Sequence, residues 1–192
     1  MNLQELLDGL NAPDALTKYG CAKVLRNLAA EQPKLLYPHF DYFHRLLRHP
    51  NKIFQWQGSF VLSHLARVDT ERKFDEIFEE YFRPVRGPVM ITAANVIGGA
   101  ARIALARPDL ADRIALEILK VSRARYQTTE CRNVAIAHAV RAFDGILELL
   151  RNPEPVFRFV RRQLRNPRPA ARKAAEHFLQ RRSRRVNGRS PD

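Results

Sequence analysis

The chain of 192 residues predicts an all-α fold of about ten helices in five stacked pairs, and three observations carry that prediction. Apolar residues recur at spacings of three and four almost throughout, with no Asn-Gly or Asp-Gly hairpin between alternating strands. Prolines fall at regular intervals between these stretches: Pro13, Pro33, Pro50, Pro84 with Pro88, Pro108, Pro153 with Pro155, and Pro167 with Pro169. A proline ring is tolerated at a helix start and not within, so each cluster marks a boundary. The third observation is an internal repeat, described below.

Taken in order, the helices are expected near 3–10, 14–30, 34–48, 52–67, 71–82, 88–106, 109–122, 128–150, 154–165 and 168–183. The first places Leu3, Leu6, Leu7 and Leu10 on one stripe. Asn51, Thr70, Asn152 and Asn166 precede or open later helices, where a short polar side chain accepts from free backbone amides. Residues 71–82 carry Glu71, Asp75, Glu76, Glu79 and Glu80, read as a solvated outer face rather than a paired-carboxylate site. The apolar run over 89–106 contains Asn95 and Arg102, both costly in mid-bilayer, so it is expected to be a buried helix and no membrane association is predicted. Residues 154–165 set an apolar stripe of Val156, Phe157, Val160 and Leu164 against Arg158, Arg161, Arg162 and Arg165. One domain over 1–180 is expected, followed by a basic, disordered tail over 181–192.

The repeat emerges when the second helix of each pair is aligned on its central residue. Leu25, Leu62, Ile97, Ile136 and Ala175 lie 37, 35, 39 and 39 residues apart. Ala22, Ser59 and Ala94 sit three before the centre, while Leu28, Leu65, Ala100, Ala139 and Phe178 sit three after. Small residues allow close helix approach and larger ones fill the layer between. Through residues 19–29 (YGCAKVLRNLA), 56–66 (WQGSFVLSHLA) and 166–179 (NPRPAARKAAEHFL), the chain resembles the HEAT and armadillo-type repeat families over almost its whole length. The resemblance implies an α-α superhelix, a HEAT-like solenoid with first helices convex and second helices lining a concave groove, and makes 3–10 a short N-terminal cap.

No Walker loop, GxGxxG, HExxH, EF-hand or GxSxG pattern occurs, so no catalytic residue, cofactor or metal is predicted and the chain is read as a non-enzyme. His39, His44 and His49, five apart, spread around a helix rather than converging on a metal. Cys21 and Cys131 form no CxxC, and residues 1–10, with Glu5 and Asp8, lack a signal-peptide pattern; a cytoplasmic setting is expected.

If equivalent positions of stacked repeats become neighbours, two columns form. Two after the centre stand Asn27, His64, Gly99, His138 and His177; five after it stand Ala30, Arg67, Arg102, Arg141 and Gln180. His64, Arg67, Gly99, Arg102, His138, Arg141 and His177 are therefore the candidate anion-binding groove, with guanidiniums as charge-assisted donors, imidazoles beside them and Gly99 leaving room for close approach. The charge is uneven: residues 1–96 hold 12 basic and 11 acidic side chains, residues 97–192 hold 21 and 9. A second candidate surface is the basic C-terminal set Arg158, Arg161, Arg162, Arg165, Arg168 and Arg172. These features predict a binding scaffold, monomeric or weakly self-associating, for a protein or acidic-peptide partner. The alternative is a nucleic-acid partner held by the basic half, with an alkylated-base glycosylase, suggested only by fold resemblance, a distant third.

Overall fold

In the computed structural model residues 2–187 are described; they are helical nearly throughout and contain no strand. The chain divides into two compact units, Met1–Tyr81 and Phe82–Asp192, where the sequence suggests one domain over 1–180. The division falls at the 3-10 turn Arg83–Arg86, whose packing is with the helix that follows it.

The first unit holds α1 (Leu3–Gly9), α2 (Ala15–Glu31), α3 (Pro33–Leu36), α4 (Phe40–Leu46), α5 (Lys52–Leu65) and α6 (Lys73–Phe82), which ends at the division. Asn2 and Asp14 cap α1 and α2 through the amides of Glu5 and Thr17. The helix expected over 34–48 is broken by a 3-10 turn at Tyr37–His39, because Pro38 has no amide to donate and disfavours helical geometry at Tyr37. Helices α2 and α4 pack on α5, burying Leu25, Phe43 and Leu62. Gly58 permits a close approach of α4 to α5: a Cβ there would sit 2.7 Å from the Phe43 carbonyl oxygen. Gln57 donates to the Ala22 carbonyl at 3.0 Å, tying α5 to α2.

Asp69, not Thr70, caps α6. Its carboxylate accepts from the amides of Lys73 (2.9 Å) and Phe74 (2.8 Å) and from the Tyr37 hydroxyl (2.7 Å). The side chain is buried where Thr70 is exposed, and burial next to free amides favours the better acceptor. Burial first, and then the bond to Asp69, push the Tyr37 phenol up to about 12. On α6 the acidic face is largely paired: Glu80 receives the His44 ring at 2.8 Å and Arg48 at 2.5 and 2.6 Å, and Asp75 receives Arg72 at 2.6 Å.

The second unit holds α7 (Met90–Ala106), α8 (Ala111–Leu119), α9 (Thr129–Ile146), α10 (Glu154–Gln163) and α11 (Pro169–Asn187). Helix α9 packs on α7 on one side and α11 on the other, while α8 and α10 meet beside them. Gly87, with φ +97°, lies against the Arg125 backbone, whose amide donates to the Arg86 carbonyl at 3.2 Å. On α10 the buried set is Val156, Phe159, Val160 and Gln163; Leu164 is exposed and Phe157 half-buried against Phe178, so the expected stripe is rotated. The tail expected from 181 is helical through Asn187; Arg181 and Arg182 bond Asp144 on α9, and Arg182 also bonds Glu148 in the 3-10 turn that follows it. Residues 188–192, including Arg189, lie outside the described residues.

The Glu80 cluster gives a pH-dependent prediction. Arg48, burial and His44 act on this carboxyl, and the cations prevail and hold it at about 2 against an ordinary 4.5. A depressed carboxyl pKa contributes stability above the unfolded value that is lost as pH falls through the folded one. Because Arg48 is 66% exposed, solvent screening reduces the contribution to about 1–2 kcal/mol. Between pH 4.5 and pH 2 the wild type should lose that amount in urea unfolding beyond what Glu80→Gln loses; parallel curves would remove the assignment.

Candidate binding cleft

Of the seven groove candidates, the structure brings Arg141 and His177 to one cleft. They stand on α9 and α11, whose centres are 39 residues apart. Helix α9 begins at Thr128, whose hydroxyl accepts from the Cys131 amide at 3.0 Å, and it is buried along Ala135, Ala139, Ala142 and Phe143. These small side chains let α11 approach and set Arg141 and His177 on the two walls.

The cleft has a volume of about 520 Å³, with Val140 and Phe178 as buried floor and Arg141, Lys173 and His177 exposed around it. Asp144 also lines it, but its carboxylate is held by Arg181 (2.6 Å) and Arg182 (2.9 Å). The acid is thus neutralised inside the protein, and the basic rim keeps its charge. His138 lies one turn before Arg141 and is half-buried. Burial, then the charges of Arg141 and Arg168, hold its imidazole below the ordinary 6.5, so near neutral pH it serves as a neutral donor or acceptor rather than a cation.

The other candidates are placed differently. In the first unit, the Arg67 guanidinium bonds the Ala30 carbonyl and reaches the Ala29 carbonyl at 3.5 Å. It therefore satisfies the C-terminal turn of α2, where a cation is favoured by the free carbonyls. His64 lies tilted against Phe60 with ring centres 4.7 Å apart, and Arg26 lies 4.0 Å over the same ring. In the second unit, Gly99 is buried in α7 and offers no surface; Gly98 is the exposed one, with open space where a Cβ would stand. Arg102 is half-buried on the same helix.

The basic C-terminal set also separates by role. Arg168 pairs with Glu130, and Arg172 donates to the Asn166 and Pro167 carbonyls at 2.8 and 3.0 Å. Arg158 and Arg161 share Glu154 at 4.0 and 3.5 Å. Arg162 and Arg165 are exposed and make no ion pair with a described residue. Arg158 and Arg162 line a second, shallower trough of about 310 Å³ together with Lys120 and Arg123. Sequence reasoning passed over these last two, although the signal was there: Arg123 and Arg162 are 39 residues apart, the same interval that aligns the second helices.

No group of three His, Cys, Asp or Glu side chains is placed to hold a metal ion among the described residues. No helix among them is long and apolar enough to cross a membrane.

Asn166 fixes the corner between α10 and α11. Its side chain accepts from the Arg168 amide at 3.0 Å and donates to Gln163 (2.9 Å) and Asn133 (3.3 Å), all within the interior. Asn166→Ala removes a cap and strands two buried amide side chains, so a loss of about 2–3 kcal/mol is expected in thermal or urea unfolding. A change under about 0.5 kcal/mol would show the network to be dispensable. The chain matches no family model, no curated protein and no solved structure in comparisons with known proteins.

Proposed function

We propose that this protein is a non-catalytic binding scaffold, a HEAT-like α-α superhelix that holds an acidic protein partner against its second-helix face. The observation that carries the reading is the convergence of Arg141, Lys173 and His177 around one apolar-floored cleft whose only acid is already neutralised. An extended surface built from repeated helices suits partner binding, and charge-assisted donors beside an apolar floor suit a protein segment bearing carboxylates. On this reading the protein needs no cofactor, acts as a monomer in the cytoplasm and has no membrane role.

Nucleic acid is the second reading, and one observation favours it: Arg162 and Arg165 are exposed without ion pairs to described residues, in the half of the chain that carries most of the charge. Phosphate contacts predict affinity that falls steeply with salt, whereas a contact with an apolar floor predicts a shallower fall.

The test is an anisotropy titration of labelled acidic peptides, duplex DNA, single-stranded DNA and RNA at 50 and 200 mM salt. A peptide should bind with shallow salt dependence, and Arg141→Glu with Lys173→Glu should weaken it about tenfold or more. Tighter, salt-steep binding of a nucleic acid would replace this reading with the second. Protonation gives an independent check. Burial depresses His138 first and the Arg141 charge second; an acid docked beside Arg141 offsets the second and favours the protonated ring. Peptide affinity should therefore rise as the pH falls through 6.5, and His138→Gln should flatten the rise.

A further inference from the structure

The first helices of the second unit carry a different surface. Between α8 and α10 runs a trough that continues from the 310 Å³ depression into a neighbouring one of about 220 Å³, the two sharing Leu116, Leu119 and Pro155. Leu116 is 58% exposed. At one end the apolar floor is rimmed by Lys120, Arg123, Arg158 and Arg162. At the other, Asp112 accepts from the Arg151 amide at 3.1 Å and lies 3.9 Å from its guanidinium, which closes that end with no net charge.

The residues facing each other across the trough are related by the repeat. Asp112 and Arg151, Leu116 and Pro155, Leu119 and Arg158, and Arg123 and Arg162 are each 39 apart. Equivalent faces of two successive first helices thus supply matching steps along one line. The cations differ in availability: Lys120 is engaged by Glu117, and Arg158 stands 4.0 Å from Glu154. Arg123 and Arg162 are exposed and pair with no described residue, so the strongest uncompensated charge lies at the end of the apolar floor.

We propose that this trough is a second docking site, and that its occupant is a segment of a partner protein in which a leucine- or phenylalanine-class side chain is followed by aspartates or glutamates. The apolar anchor covers Leu116, Leu119 and Pro155, removing the exposed leucine from water. The carboxylates meet Arg123, Arg158 and Arg162, whose planar forks bind them in bidentate fashion. Nucleic acid fits less well, since a phosphate backbone has nothing to place on an apolar floor and reads charge alone. The acidic helix α6 of a second copy also fits poorly, because its Phe74, Ile77 and Phe78 are all buried. The site is independent of the α9–α11 cleft and is tested separately from it.

The experiment uses the full chain carrying Arg141→Glu and Lys173→Glu, so that the α9–α11 cleft selects no acidic peptide of its own, and a displayed library of random twelve-residue peptides, selected at 150 mM salt. Enriched peptides should combine an apolar anchor with two or more acidic residues. Their measured affinity should fall about tenfold or more when Leu116→Asp or Arg123→Glu/Arg162→Glu is added, and be unchanged by the charge reversal Lys34→Glu at an exposed side chain of the first unit. Circular dichroism and the unfolding midpoint confirm that each variant is folded; every change is at an exposed side chain. Enrichment of peptides without acids, no enrichment, or affinity indifferent to the trough variants would overturn the proposal. So would single-stranded DNA or RNA that binds the wild type, loses binding in the same variants and excludes the peptides.

Discussion

Helix α9 is the member on which the second unit depends, and what it depends on in turn is the size of its alanines. Packed against α7 and α11 at once, it leaves few of its side chains exposed, Thr129, Glu130 and Arg141 among them. Ala135, Ala137, Ala139 and Ala142 let both neighbours come close, while Ile136, Val140, Phe143 and Ile146 fill the layers. Gly145 continues the same logic: a Cβ at that position would come within 3.2 Å of Ala101 on α7. Because α9 is held on two sides, the point from which Arg141 leaves the helix is fixed by packing.

Much of this architecture was legible in the sequence. Helices were marked by apolar spacing and proline, and the 39-residue interval aligned α9 with α11; that Arg141 and His177, which stood in different columns, line one cleft came from the structure. What escaped the sequence was competition for polar groups. Asp69 and Thr70 are both plausible caps in one dimension, and only burial beside Tyr37 distinguishes them. Arg67 and Arg141 occupy equivalent positions, yet Arg67 meets the free carbonyls at the end of α2 and is consumed there, while Arg141 meets a cleft. Asn133 and Arg172, which depart from the small-residue rule three before the centre, both turn out to bond Asn166. Such partners lie more than thirty residues away in several cases, beyond the reach of any local pattern.

The excess of arginine is correspondingly not one feature but several. Arg172 satisfies backbone carbonyls, Arg168 and Arg182 bind carboxylates on α9, and Arg158 and Arg161 lean on a shared glutamate. Arg141 and Lys173 on α9 and α11, and Arg123, Arg162 and Arg165 beside α8 and α10, are by contrast exposed and make no ion pair with a described residue. Net charge alone gives the sign of a partner, whereas the internal pairing gives the places at which it can be met.

The constant step between α8 and α10 also governs which genetic changes the surface can absorb. Each residue added to a helix turns everything beyond it by about 100°. A single insertion early in α10, before Arg158, would swing Arg158 and Arg162 off the line set by Leu119 and Arg123, whereas substitution of any one of them removes one contact and leaves the others aligned. The surface is therefore brittle to small insertions, the reverse of what an exposed loop allows.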